Sequence, residues 1–266
     1  MADTIVMAVV NVTPDSFSDG GRWASRDAAV AHGLDLLAQG VAILDVGGES
    51  TRPGASRPSV DEELARVVPV VSALAAAGAT VSVDTMRAAV AARAIDAGAT
   101  IVNDVSGGLA DPAMLDLIAR TGVDYVLMHW RGHSDVMASL TDYDDVVADV
   151  TRELLVRARA AQDAGVDPDR IVLDVGLGFA KTGAQNWELL RNIDAFNALG
   201  YRQLVGASRK RFLGAVTGRD APERDAASAA VTMWCAQHGV WGVRTHSVRE
   251  HLDAIAVAAA LKSSVG

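Results

Sequence analysis

The chain has 266 residues, of which 50% are hydrophobic, 5% aromatic and 21% charged, a balance that builds a packed core and excludes a disordered or collagen-like chain. Its 24 Lys and Arg against 33 Asp and Glu leave a formal charge of −9. That is the wrong sign for a duplex-binding surface, so no nucleic-acid partner is expected.

The start, Met1-Ala2-Asp3-Thr4, has no basic region of the kind that opens a signal peptide, and it runs into a first strand near Ile5. Further strands are predicted to begin near Ala42, Thr80, Ile101, Tyr125, Ile171, Gln203 and Val240. Each interval is long enough for a strand, a helix and two loops. The strands are continuously apolar, as in Ala42-Ile43-Leu44 and Ile171-Val172-Leu173, which is the pattern of parallel strands buried on both faces. Between the second and third, Ser59 and Glu62 have capping-box spacing, and Leu64, Val67, Val68, Val71 and Leu74 fall on one helical face. Pro69 is expected to kink or split that helix. The apolar stretch from Val67 to Val83 is broken by Pro69, Ser72 and Gly78, so it reads as helix, turn and strand, and no membrane partner is expected. Val146, Val147, Val150, Leu154 and Leu155 form a second stripe. His32 and His251 fall on helical patterns and read as solvated. Gly40, Gly78, Gly98, Gly165, Gly200 and Gly239 lie where a helix hands over to a strand and a positive φ is wanted. Cys235 is the single cysteine; it fits core filler and a reducing cytoplasm.

Eight βα units in about 250 residues suit an α/β fold of the (β/α)8 barrel type, here as a single domain over residues 1–266. A doubly wound open sheet would usually carry a Gly-rich turn after its first strand, and Val9-Val10-Asn11-Val12-Thr13-Pro14 is nothing like one.

The strand ends are unusually polar. Asn11 closes the first strand, Glu49-Ser50-Thr51-Arg52 follow the second, Asp84 ends the third and Asn103-Asp104 the fourth. His129 ends the fifth, Asp174 the sixth, Ser208-Arg209-Lys210 the seventh and Arg244-Thr245-His246 the eighth. In a barrel these ends share the face that carries the active site, and packing gives no reason to gather there groups that are costly to bury unpaired. Asp84, Asn103 and Asp174 are acceptors for the N–H edge of a heterocycle. Arg52, Arg244, His246 and Lys210 suit phosphate. In an acidic chain such a basic pocket is local, and the set points to a small phosphorylated heterocycle. Other readings stay open: Asp84, followed by Thr85, also fits a helix cap, Asp45 a structural partner inside the barrel, and His129 a supporting hydrogen-bonder. The only lysines are Lys181, Lys210 and Lys262, and the first two fall in strand-end loops. Glycine pairs at Gly20-Gly21, Gly47-Gly48 and Gly107-Gly108 suit ligand-hugging loops, and the long stretch from Thr13 to Gly21 suits a lid.

Taken together, these strings resemble the bacterial dihydropteroate synthase family from Met7 to about Val257. They are NVTPDSFSDGG from Asn11, DVGGESTRPGA from Asp45, SVDT from Ser82, NDVSGG from Asn103, LMHW from Leu127, LDVGLGFAKT from Leu173, LVGASRKRFLG from Leu204 and VRTH from Val243. The resemblance implies a folate-pathway enzyme that joins 4-aminobenzoate to 6-hydroxymethyl-7,8-dihydropterin diphosphate, releasing diphosphate. By the same resemblance Asp84, Asp174 and Lys210 carry the chemistry. The pterin ring would be held by Thr51, Asp84, Asn103, Val105, Met128, Asp174, Phe179, Gly206 and Lys210. Diphosphate would fall to Asn11, Arg52, Arg244, Thr245 and His246, and aminobenzoate to Phe17, Thr51, Arg52, Pro53 and Ser208. Mg²⁺ would be the cofactor, met by Asn11, and the partners would be these two small-molecule substrates and a second copy in a homodimer. The residues agree: a leaving diphosphate develops negative charge that Arg, His and a hard cation stabilise, and Mg²⁺ keeps water and few protein ligands. One departure is Val175, where the family has a proline after the aspartate. The alternatives are a pterin-binding methyltransferase, which has no need of the SRK string or the TPDSF stretch; a catalytically silent pterin-binding paralogue; and an aldolase using Lys210 as a Schiff-base nucleophile.

Overall fold

A computed structural model describes residues 4–12, 21–49, 57–133 and 136–263. Its strands are β1 (Ile5–Asn11), β2 (Ile43–Gly47), β3 (Val81–Asp84), β4 (Ile101–Asp104), β5 (Asp124–Met128), β6 (Ile171–Asp174), β7 (Arg202–Val205) and β8 (Gly242–Thr245). Helices α1 (Gly21–Ala38), α2 (Val60–Ala76), α3 (Ala88–Asp96), α4 (Met114–Thr121) and α5 (Val146–Asp163) follow the first five strands in turn. After β6 come α6 (Gly183–Arg191) and α7 (Ile193–Asn197), after β7 α8 (Arg211–Thr217) and α9 (Asp225–Gln237), and after β8 α10 (Arg249–Lys262). The strands pair in chain order and close as a barrel, β8 returning to β1 in parallel with Ile5 opposite Gly242 and Ala8 opposite Thr245. Closure leaves no strand edge unpaired, and the expected (β/α)8 barrel is what forms.

Strand alternation divides the apolar residues into two cores. Met7, Ile43, Ile101, Val126, Val172 and Leu204 point inward and pack together across the barrel floor. The opposite faces of the strands meet the helices in the larger core, which includes Val10, Leu44, Val83, Val102, Leu127, Leu173 and Val243. Cys235 is buried there with its thiol free.

Several local expectations change in three dimensions. Pro69 lies inside α2, which runs unbroken from Val60 to Ala76 and starts on the full Ser59–Glu62 capping box. The buried side of α2 is Glu63, Val67, Val70, Val71 and Leu74, one step round from the expected stripe, with Leu64 and Val68 half-buried. The turn accommodates Glu63, which accepts the Thr85 hydroxyl at 2.6 Å and pairs with Arg87. On α5, Leu155 is exposed and Asp149 lies on the buried side instead. Val240 precedes β8; its N–H returns to Cys235 O and closes the end of α9. His251 is buried, not solvated, held between Thr232 Oγ1 and Thr245 Oγ1 at 2.7 Å each. The six handover glycines all have positive φ, between 73° at Gly239 and 111° at Gly98, the left-handed conformation a side chain would resist.

Candidate active site

Two residues beyond the inward floor residues, the same strands place Val9, Asp45, Asn103, Met128, Asp174 and Gly206 toward the barrel mouth. The side-chain period of two thus puts polar groups directly above an apolar floor. Asp84 and Arg244 join them from β3 and β8. Arg244 is the hub: its Nε donates to Asp45 Oδ2 at 2.6 Å and its Nη2 to Asp84 Oδ2 at 2.7 Å. Asn103 Nδ2 donates to the same Asp45 oxygen at 3.0 Å, so Asp45 is the structural partner that aims both residues. This bond fixes the amide orientation and leaves the Asn103 carbonyl oxygen as an acceptor. Asp45 Oδ1 and Ser82 Oγ, on register partners of β2 and β3, are buried with no partner among the described residues.

Burial raises Asp84 to about 7, against the opposing pull of Arg244 and with added push from Asp45 and Glu63. Burial works against the Arg244 charge too, but Asp45 and Asp84 outweigh it and hold its pKa above the ordinary value. Asp84 does not cap α3, whose first turn has Arg87 at the cap position without a side-chain bond.

Across the mouth, Asp174 Oδ1 accepts the Gly176 N–H at 2.7 Å, and burial raises its pKa against the attraction of Lys210. Gly206 sits among three of the expected residues. A Cβ there would lie 3.8 Å from Asp174 Oδ2, 3.9 Å from Lys210 Nζ and 3.9 Å from Arg244 Cβ, so any longer side chain would fill the space between them. Lys210 Nζ donates to Leu177 O and lies 4.7 Å from the centre of the Phe179 ring; burial lowers it to about 8, with Asp174 pulling the other way. Asp174 and Lys210 therefore share one rim. Val105, Met128 and Phe179 pack as one apolar cluster with Met86 and Ala110, and Met86 is a wall residue the sequence reading missed.

On the β7–β8 side, Ser208 Oγ lies 3.0 Å from His246 Nδ1 and accepts the His246 N–H at 3.2 Å. Thr245 is not brought into the mouth: alternation turns it outward from Arg244, and its hydroxyl donates to Ser247 O and meets His251 Nε2, both at 2.7–2.8 Å. Asn11 ends β1 on the inward side with Met7, paired with Gly47. Asp104 faces outward; it accepts from Ser106, Gly108 and Tyr125 and shapes the loop through Gly107 and Gly108. Phe17, Thr51, Arg52 and Pro53, and the stretch from Thr13 to Gly20, lie outside the described residues. Val175 is buried in the outer core. The most consequential omission from the expected site is Lys181, buried beside His129 behind Asp174. Its position in a strand-end loop was its only signal in the sequence.

A closed barrel whose mouth opposes ring acceptors to anion donors matches the family of pterin-binding enzymes over residues 7–246, and the chain belongs to that family. It is 52% identical to the dihydropteroate synthase of Mycobacterium leprae, over 98% of this chain and 94% of the relative. Among solved structures, Xanthomonas albilineans dihydropteroate synthase with 4-aminobenzoic acid superposes with a TM-score of 0.92 at 45% identity, covering 98% of this chain and 94% of that one. The same enzyme in complex with 7,8-dihydropteroate gives 0.89 at 42% identity, with the same coverage.

Proposed function

We propose that this chain is the transferase that joins 4-aminobenzoate to 6-hydroxymethyl-7,8-dihydropterin diphosphate, forming 7,8-dihydropteroate and diphosphate. The observation that carries this reading is the convergence of Asp174, Lys210 and Arg244 on Gly206, with Arg244 also bound to Asp84. One bicyclic ring and its leaving group can be gripped there together. Nothing in that arrangement favours a methyl transfer or a Schiff base; Lys210 is engaged with Leu177 O and the Phe179 ring.

The roles follow from the donor and acceptor inventory. Asp84, Asp174 and the Asn103 carbonyl accept ring N–H groups, while Val105, Met128 and Phe179 sandwich the ring's faces. Arg244 commits two N–H groups to Asp45 and Asp84; a guanidinium has five, so three remain for diphosphate oxygens, beside His246. As the methylene–oxygen bond breaks, its electron pair leaves with diphosphate. Positive charge spreads over the ring, where the carboxylates of Asp84 and Asp174 favour it. The aryl amine then forms the C–N bond and loses its proton to water, without a strong general base.

Asn11 and the leaving group suit Mg²⁺. No group of three or more His, Cys, Asp or Glu that could hold a metal occurs among the described residues. Asn11 would offer one hard amide oxygen beside the substrate oxygens, a donor set that Mg²⁺ accepts. When bound, the ion neutralises charge on the diphosphate. Thr51, Arg52, Pro53, Phe17 and Ser208 complete the aminobenzoate side in this reading. Exposed Trp234, Val257 and Leu261 on α9 and α10 supply apolar surface for a homodimer, and a buried free Cys235 fits the cytoplasm; no helix among the described residues is long and apolar enough to cross a membrane. The test is a coupled assay of diphosphate release. Turnover should require both substrates and Mg²⁺, and release that ignores 4-aminobenzoate would overturn the reading.

A further inference from the structure

The loop between β6 and α6 forms one wall of the ring pocket, and side chains hold four of its carbonyls, those of Gly176, Leu177, Phe179 and Ala180. Lys210 donates to Leu177 O from the pocket side. From behind, Lys181 Nζ donates to Gly176 O at 3.1 Å and Phe179 O at 3.0 Å. Tyr143 donates its hydroxyl to Ala180 O at 3.0 Å, and Ala180 has a φ of 48°, a left-handed conformation that a non-glycine residue keeps only when its surroundings over-determine it.

Lys181 is itself buried, and its third contact is His129 Nδ1 at 2.9 Å. In its ammonium form, which Lys181 holds below its folded value of about 7, it has three N–H donors and no acceptor, and here each finds one partner. His129 must then accept at Nδ1 and donate from Nε2, and Glu153 Oε2 stands 2.9 Å from Nε2 to receive that proton. Glu153 is fixed in turn by two bonds from Arg131, at 3.1 Å and 2.6 Å, and Arg131 stacks on Tyr143 at 3.7 Å. The chain of contacts therefore starts and ends on the same loop. Burial lowers His129 to about 4, which keeps the ring neutral with Nδ1 available as an acceptor.

We propose that Lys181 is a positioning residue for the pterin half of the reaction: it clamps the β6–α6 loop from inside the barrel wall, so that Leu177 O and the Phe179 ring hold Lys210 against the ring. It touches no substrate, and it acts on one side of the pocket only. The 4-aminobenzoate side is built from the other loops. This inference rests on the reaction proposed above, and the two can fail separately. Turnover by the unsubstituted enzyme tests the reaction; the substitutions test Lys181.

The decisive variant is Lys181→Met, which keeps the length and apolar stem and removes all three donors. The KM for 6-hydroxymethyl-7,8-dihydropterin diphosphate should rise about tenfold or more, and its affinity measured by calorimetry should fall in step. The KM for 4-aminobenzoate at saturating pterin substrate should stay within about twofold. A merely structural lysine would raise both KM values equally or neither, and either result overturns the proposal. Should Lys181→Met fail to fold, Glu153→Gln on the half-buried flank of α5 asks the same question. It weakens the hold on His129, and it should raise the pterin KM about threefold while sparing the other; an unchanged pterin KM in that variant overturns the proposal.

Discussion

Asp84 carries opposing demands. It must be a carboxylate to favour positive charge on the ring, yet burial and neighbouring acids raise it to about 7. Lys210, held at about 8 by burial, loses its charge on the other side. The rate of the chemical step should therefore be bell-shaped, falling below pH 7 as Asp84 protonates and above pH 8 as Lys210 deprotonates. Asp84→Asn should flatten the acid limb and lower kcat by about 10²-fold, while inhibition by added diphosphate changes little because Arg244 keeps Asp45. Equal losses in rate and in diphosphate affinity would count against a dissociative course. Asp84, Asn103, Asp174, Lys210 and Arg244 could be read from the sequence because each stands at a strand end, where position alone implies the mouth. Lys181 and Met86 do not stand out in the sequence as site residues, and Asp45 stands out only as a structural partner, without its partners named. Their roles depend on partners 52 residues away in the case of Lys181 and His129, and 58 in that of Asp45 and Asn103, separations that no local pattern encodes. Thr245 is turned away from Arg244, toward Ser247 O and His251, because adjacent strand residues face opposite ways, which the string VRTH does not display.

At the scale of elements, the strands were legible because two-sided burial leaves continuous apolar runs, and the helix ends because Gly and Ser mark them. What misled was the helix face. The period of apolar residues on α2 selects Leu64 and Val68, but the barrel turns Glu63 inward because Thr85 and Arg87 satisfy it. A buried acid with distant partners looks in sequence like a solvated one. The cap itself is local and separable: Ser59 Oγ accepts the Glu62 N–H at 3.2 Å while Glu62 returns to the Ser59 N–H at 2.9 Å. Ser59→Ala should cost about 1 kcal/mol of stability, read by urea denaturation, and leave kcat within about twofold. A large loss of activity would mean that α2 reports to the mouth through Glu63 and the turn that follows Asp84.

The whole molecule buries an unusual set of titratable groups for the sake of its mouth, and that sets how its stability depends on pH. Two histidines, His129 and His251, are lowered from 6.5 to about 4 by burial; below pH 6.5 the unfolded chain takes up their protons first, and stability falls. Asp84, raised from 3.8 to about 7, works the other way in the acid range. From pH 7 upward the lysines dominate. Lys181 is lowered from 10.5 to about 7 and Lys210 from 10.5 to about 8, both by burial. Between each folded value and 10.5 the unfolded chain binds the extra proton, so stability must rise with pH over that window. Cys235 opposes this only above its ordinary value of 9.0, because burial pushes the thiol up to about 12 in the fold. The thermal midpoint should therefore climb by a few degrees between pH 7 and 9, where a protein without buried lysines would be flat. Lys181→Met should remove the larger share of the climb, since its window opens a full pH unit earlier than that of Lys210. A midpoint that is level or falling from pH 7 to 9 in the unsubstituted protein would mean that these ammonium groups are as well solvated as in the unfolded chain, and that the mouth is wetter than its packing requires.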